Sequence, residues 1–267
     1  MSRIIGIDLG TSTSEIAILK DGAPHVIPNH LGERITPSVV GVSDEGKIIA
    51  GSEAAEQLLL KPEDTVMEVK RLMGSDTKIT MGGEEYTPQE ISSYLLEYLV
   101  QCAEEYLNEK IERAVITVPA YFSDTQRKAV VEAGKLAGIK VERIINEPTA
   151  ASLDYGMDHM EDCNNILIYD LGGGTLDVTV LEMFEGVLEV KASSGNNRLG
   201  GKDFDNSLMD FCLERFHATY GIDVSDDKRA MMRLKKECEK CKIALSTEQE
   251  YSIVLPFFAE VDRKPVS

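Results

Sequence analysis

Apolar and polar positions repeat in one conspicuous pattern along the chain. Ile4 to Leu19 reads IIGIDLGTSTSEIAIL, and Ile166 to Leu181 reads ILIYDLGGGTLDVTVL. Each is an apolar run, then Asp-Leu-Gly with small residues, then an alternating or apolar run, which predicts strand, tight turn, strand. At an offset of 162 residues six of the sixteen positions are identical: Ile4/Ile166, Asp8/Asp170, Leu9/Leu171, Gly10/Gly172, Thr13/Thr175 and Leu19/Leu181. Two matched hairpins imply two similar lobes.

Helical spacing takes over between and after them. Ile91, Tyr94, Leu95, Tyr98, Leu99, Cys102, Ala103 and Tyr106 predict a helix opening at Pro88. Ile111 to Val118 predicts a strand closed by Pro119, and Ser123 with Gln126 a capping box before a helix through Ala129, Ala133 and Ala137, stopped by Gly138. A strand over Ile139 to Ile145, a short helix with Pro148 in its first turn, and a strand over Val187 to Ala192 follow. Gly200-Gly201 opens a helix along Phe204, Leu208, Phe211, Cys212 and Phe216. Another helix carries Met231, Leu234, Cys238, Cys241 and Leu245, and Tyr251 to Leu255 predicts a last strand. Strands alternating with helices predict an α/β fold with a largely covered sheet.

The chain has 267 residues, enough for one large domain or two lobes. Asp and Glu number 46 against 28 Lys and Arg, a formal charge of −18, which disfavours generic binding to nucleic acid or anionic lipid. No apolar run approaches the roughly 18 residues of a membrane span. Five scattered cysteines fit reduced thiols, and Met1 to Ile5 runs straight into a strand-like segment, so a cytoplasmic protein without a signal peptide is expected.

The turns carry the candidate chemistry. Small residues let the backbone approach a ligand, and successive amides make an anion-binding nest. Thr11-Ser12-Thr13 and Gly172-Gly173-Gly174-Thr175 add hydroxyl donors. Asp8 and Asp170 would repel a phosphate unless a cation lay between, and Mg²⁺ held through its waters suits that. Taken singly, each turn reads equally as a glycine hairpin with an Asp cap; two facing copies favour a phosphate clamp.

At this point the chain resembles a known family. The paired hairpins are similar to the phosphate-binding elements of the actin/hexokinase/heat-shock ATPase superfamily. Val118-Pro119-Ala120-Tyr121-Phe122, Gln126-Arg127, Ile144-Ile145-Asn146-Glu147-Pro148-Thr149-Ala150-Ala151 and Asp170 through Thr175 resemble the nucleotide-binding domain of DnaK-type, seventy-kilodalton heat-shock chaperones, over nearly the whole chain. Lys70-Arg71-Leu72-Met73-Gly74-Ser75, in a short segment between Thr36 and Pro88, resembles the HscC-type branch.

The resemblance implies an actin-like ATPase fold with ribonuclease H-like lobes around a nucleotide cleft. Lobe one spans 1–160, with a peripheral subdomain over about 38–87. Lobe two spans 161–267, with a core hairpin and strand over 161–197 and a peripheral subdomain over 198–267. With no strands after its hairpin sheet to complete an equivalent of lobe one, lobe two is expected to be incomplete and the chain shortened at its C-terminal end, with weakened nucleotide binding as a consequence. By the same resemblance the cofactors are ATP or ADP with Mg²⁺, and K⁺ as a further cation. Asp8, Glu147 and Asp170 hold the metal through water, and Lys70 positions the attacking water. Gly10, Thr11, Ser12, Gly172, Gly173, Gly174 and Thr175 touch phosphate, and Asp177 serves the ion and water network. Gly200 and Gly201 lie close to phosphate, and Glu239, Lys242 and Ser246 contact adenosine. Pro119 and Arg127 relay the nucleotide state, and Arg143 and Asn146 meet a J-domain co-chaperone; a nucleotide-exchange factor is a further partner, and client peptide binds only through a domain absent here.

Two departures stand out. Ile243 replaces the family's usual arginine stacked on adenine, and Asn196, Asn197 and Arg198 replace an acidic or Thr-containing turn. Cys238 and Cys241 invite a metal reading, but both fall on the apolar stripe of their helix, with no second pair at zinc spacing. His25, His30, His159 and His217 form no cluster. The leading expectation is an ATPase domain driving a stress-response chaperone; the alternatives are a sugar kinase of the same fold and an actin-like filament protein.

Overall fold

Alternation builds the first sheet. In the computed structural model, which describes residues 3–158, 165–184, 187–261 and 264–266, β1 (Ile4–Leu9) and β2 (Thr13–Lys20) pair antiparallel. β3 (Ala23–Ile27) and the short β4 (Thr36–Pro37) add to β2. β5 (Val39–Val42), β6 (Ile48–Ala50), helix α1 (Ser52–Gln57) and β7 (Thr65–Met67) form a peripheral unit with its own three-stranded sheet. A 3₁₀ turn, Val69–Leu72, and a hairpin of β8 (Ile79–Met81) and β9 (Glu84–Tyr86) complete it.

The chain then returns to the main sheet. α2 (Pro88–Leu107) leads to β10 (Arg113–Val118), parallel to β1, and α3 (Asp124–Leu136) leads to β11 (Lys140–Asn146), parallel to β10. Both helices start at complete capping boxes, Thr87/Glu90 and Ser123/Gln126, which satisfy first-turn amides that would otherwise lack partners. The strand order is β11-β10-β1-β2-β3.

Ile5, Ile7, Leu9, Ile16, Ile18, Ala114, Ile116 and Val118 point to one face and pack with Ile91, Leu95, Leu99, Ala129, Val130 and Ala133 of the two helices. The other face carries Asp8, which is exposed, and Glu15 and Thr117, which are half-buried. Among the described residues the sheet is therefore covered on one face, not largely on both. Period-two alternation within β1, β2 and β10 is the physical sign of this, since a doubly buried strand reads as a continuous apolar run.

α4 (Glu147–Asp158) leads towards lobe two, where β12 (Asn165–Leu171), β13 (Leu176–Phe184) and β14 (Val187–Asn196) form an antiparallel sheet. Ile166, Asp177, Thr179, Leu181 and Met183 are buried on one face; Leu167 and Tyr169, about two-thirds exposed, lie on the other. α5 (Gly201–Tyr220) and α6 (Lys228–Ala244) pack together over Met209, Leu234 and Cys238.

Two expectations need correction in this lobe. On α5, Phe204 and Phe211 are exposed, and the inward stripe is Asp205, Leu208, Met209, Cys212, Leu213 and Phe216. Tyr251 to Leu255 forms no strand. Instead Ile253 and Leu255 pack on the α5/α6 core, Tyr251 Oη donates to Glu237, and Arg233 donates to the carbonyls of Pro256 and Phe257. The apolar run is used for packing on a helix rather than for pairing, and a short hairpin, β15 (Ala259–Val261) with β16 (Lys264–Val266), follows. No helix among the described residues is long and apolar enough to cross a membrane.

Candidate functional site

The two β-turns meet across the lobes. A Cβ placed on Gly173 would overlap Ser12 Oγ, and one on Gly174 would overlap the Thr11 side chain. Glycine is required there by close approach. Five carbonyls of the two turns are engaged by neighbouring donors. Ser38 takes those of Gly10 (Oγ, 2.9 Å) and Ser12 (N–H, 2.8 Å). The amides of Gly201 and Lys202 take those of Gly172 and Gly173, each at 3.0 Å, and Arg71 Nε takes that of Gly174 at 2.8 Å. The Gly172 amide takes the Thr175 carbonyl at 3.0 Å; with these carbonyls engaged, the other turn amides and the hydroxyls of Thr11, Ser12, Thr13 and Thr175 make a donor set suited to an anion.

Beside the turns lies a cavity of about 370 Å³ lined by Asp8, Gly10 to Thr13, Lys70, Thr117, Glu147, Asp170, Gly172, Gly173 and Thr175. Asp8 and Asp170 come from the ends of β1 and β12, and Glu147 from the first turn of α4. Lys70 reaches in from the 3₁₀ turn, only 6% exposed, with Nζ 2.5 Å from Glu147 Oε1 and 5.9 Å from the centre of the Phe122 ring. Thr117 Oγ1 donates to Asp8 Oδ1 at 2.6 Å.

The cluster has more negative charge than Lys70 can balance. Burial pushes the Glu147 carboxyl up, against the pull of Lys70, and Asp8 and Asp170 push it further. Burial and then Asp8 raise Asp170. Asp177 is 1% exposed, and neither of its oxygens has a hydrogen-bond partner. Burial raises its pKa; the Tyr121 and Ala120 amides face it from beyond ordinary hydrogen-bond geometry and offset this only in part.

A second cavity, of about 290 Å³, adjoins the first at Ser12, Thr13 and Gly173. Its walls are part apolar, with Pro37, Val39, Leu58, Leu59 and Met67, and part charged, with Lys202, Asp205, Glu239 and Lys242. Lys242 Nζ is held by Asp205 Oδ2 at 2.8 Å and the Gly201 carbonyl at 3.1 Å. Gly200 caps α5, and a Cβ there would overlap the Gly173–Gly174 peptide.

Other expected residues lie apart. Ser246 is in the turn after α6 and lines neither cavity, and Ile243 is 62% exposed. Arg127 donates through Nε to the Phe122 carbonyl at 3.1 Å and through Nη2 to those of Ala120 and Pro119 at 3.1 and 3.5 Å. Arg143 is exposed on β11, and Asn146 ends that strand. His25 pairs with Tyr106, His30 with Glu105, and His217 with the Ile222 carbonyl; His159 lies outside the described residues. Cys238 and Cys241 are core thiols, and burial pushes Cys238 up to about 12.

Sequence reasoning missed Ser38, Thr117 and Asp205. Thr117 did have a signal, a lone hydroxyl near the end of an otherwise apolar strand.

Two lobes, each presenting a glycine-and-hydroxyl turn to a shared lysine–carboxylate cluster, are the arrangement of the actin-like ATPase fold. Over residues 4–80 and 75–264 the sequence matches the family described as Hsp70 protein. It is 52% identical over 257 residues to the chaperone protein DnaK of Thermotoga petrophila, an alignment covering 96% of this chain and 43% of that protein. The chain belongs to the Hsp70 family, and it spans less than half the length of this curated relative.

Proposed function

We propose that this chain binds ATP and ADP with Mg²⁺ and hydrolyses ATP, as the nucleotide-operated part of a cytoplasmic chaperone. The observation that carries this is the meeting of the two turns over the Lys70–Glu147 pair, with Asp8, Asp170 and Asp177 around it.

The donor set fits a hard cation. Asp177 is buried with both oxygens unpartnered, and burial together with neighbouring carboxylates raises Glu147, Asp170 and Asp177, so the fold lacks positive charge there. Oxygen ligands suit Mg²⁺ and K⁺. Among the described residues no three of His, Cys, Asp and Glu are placed to grip one ion directly, so Asp8, Glu147 and Asp170 would hold Mg²⁺ through water. Bound there, the ion supplies charge neutralisation for the phosphates.

The chain's own residues do the rest. Gly10, Thr11, Ser12, Gly172, Gly173, Gly174 and Thr175 hold phosphate oxygens, aided by the nearby backbone of Gly200 and Gly201. Lys70 and Glu147 orient a water for attack, and the cavity with Glu239 and Lys242 takes the nucleoside; Ser246, which lines neither cavity, would reach it only after a rearrangement. Pro119 and Arg127 would report phosphate occupancy to Arg143 and Asn146, where a J-domain co-chaperone docks. An exchange factor would open the cleft, and client peptide would engage a domain outside these residues. Lys70-Arg71-Leu72 suits the HscC-type branch.

The test is single-turnover ATP hydrolysis by Lys70→Ala. The rate should fall at least about a hundredfold with nucleotide affinity nearly kept, because the lysine acts on the transition state. An unchanged rate would overturn its role.

A further inference from the structure

A separate cavity, of about 300 Å³, lies on lobe one and shares no lining residue with the two cavities beside the turns. One wall is a single side of α2, where Tyr94, Glu97, Tyr98 and Gln101 follow at i, i+3, i+4 and i+7. The rest of the lining is the apolar strand β6, Glu53 in the first turn of α1, and His30.

Both tyrosine rings are held before any ligand arrives. Tyr94 meets Tyr86 edge-on with ring centres 6.0 Å apart. Tyr98 meets His30 edge-on at 5.0 Å, and His30 Nδ1 is fixed 3.1 Å from Glu105 Oε2. Gly51, with φ of 72°, admits the Tyr98 ring; a Cβ there would lie 3.0 Å from it. Burial pushes the Tyr98 hydroxyl up to about 12, so the ring stays neutral near pH 7. Rings already in place lose little freedom when they bind.

The charge of the cavity is one-sided. No lysine or arginine lines it. Among the described residues the carboxylates of Glu53 and Glu97 have no ion pair or hydrogen bond, and burial raises Glu97 with no cation opposing the rise. A carboxylate partly withdrawn from water, beside the negative faces of two aromatic rings, attracts a cation and rejects an anion. Among the described residues no three acidic, His or Cys groups are placed to grip a bare metal ion. Walls of aromatic and aliphatic carbon suit instead a cation that carries its own hydrocarbon.

We propose that this cavity binds a primary alkylammonium ion. Its head sits on Glu97 and against the Tyr94 and Tyr98 rings, with Glu53 as a further acceptor, and its alkyl stem lies along Ile48, Ile49 and Ala50. The site is independent of the nucleotide reading above.

The full chain is titrated with pentylammonium, methylammonium and pentanol, following the ring proton resonances of His30, Tyr94 and Tyr98 by NMR. Pentylammonium should saturate these shifts and bind at least about tenfold more tightly than methylammonium, which lacks the stem, or pentanol, which lacks the charge. Glu97→Gln should weaken pentylammonium at least about fivefold, because the isosteric amide removes the charge-assisted bond. Tyr94→Leu should weaken it about threefold. Glu85→Gln removes the same charge from the exposed β9 and should change nothing. Glu97→Gln keeps the side-chain shape, so it decides the case even if Tyr94→Leu fails to fold. No saturation, or shifts confined to other rings, would overturn the site. Pentanol binding as well as pentylammonium would overturn the ammonium head, and methylammonium binding as well would overturn the stem. Equal losses in Glu97→Gln and Glu85→Gln would reduce the effect to the general pull of a chain of formal charge −18 and overturn the proposal.

Discussion

Replacing Asp177 by Asn should make the ligand-free protein more stable, although it removes a residue of the site. Asp177 is 1% exposed, both its oxygens lack hydrogen-bond partners of ordinary geometry, and burial raises its pKa, with the Tyr121 amide opposing and Asp170 adding to the rise. An acid whose pKa is higher folded than unfolded carries no penalty below the unfolded value. The penalty then grows by about 1.4 kcal/mol per pH unit until the folded pKa is passed, and is constant above it. An unpartnered buried polar group costs about 1–3 kcal/mol. Asn removes the charge but leaves a buried amide, so the recoverable part is about 1–2 kcal/mol at pH 7. For a chain of this size that is a rise in Tm of roughly 2–8 °C. Thermal unfolding with and without Mg²⁺, at pH 4 and pH 7, checks it. The gain should shrink to about 0.5 kcal/mol or less at pH 4, close to the ordinary Asp value, where the folded carboxyl is largely protonated, and Mg²⁺ should stabilise the wild type more than the variant. A lower Tm for Asp177→Asn at pH 7 without Mg²⁺ would refute the reasoning, because it would mean that fixed donors already satisfy the ionised carboxylate.

The raised Glu147, Asp170 and Asp177 carboxyls also predict proton release when a cation binds at mildly acidic pH. Mg²⁺ titrated calorimetrically near pH 6 should give different heats in buffers of different ionisation enthalpy; equal heats would contradict it. Arg127→Ala removes the ties to the carbonyls of Phe122, Ala120 and Pro119 without touching either cavity. ATP affinity should stay within about twofold while co-chaperone stimulation of hydrolysis is lost, and stimulation at the wild-type level would refute the relay.

The local signals in the sequence were physically strong where a single segment decides its own structure. Asp-Leu-Gly between apolar runs can hardly be anything but a hairpin turn, and Thr87/Glu90 and Ser123/Gln126 mark helix starts through bonds within four residues. The site is different. Lys70 and Glu147 are 77 residues apart, and Arg71 and Asp203 are 132 apart, so nothing local shows that they meet. Lys70 was legible through family resemblance, and Glu68 not at all, because its partners are two lysines on separate helices of the other lobe. Tyr251 to Leu255 was misread for a related reason. Apolar composition establishes that a segment is buried, but whether it pairs or packs depends on its neighbours.

The central claim is that two facing turns and a carboxylate-rich cluster take a phosphate anion together with a hard cation. Isothermal titration of the chain with ATP, with and without Mg²⁺, in wild type and Asp170→Asn, tests it most directly. Wild-type affinity should be at least about tenfold higher with Mg²⁺, and Asp170→Asn should erase most of that difference while leaving metal-free ATP binding nearly unchanged. Equal wild-type affinity with and without Mg²⁺, or equal loss of both in Asp170→Asn, would contradict the account.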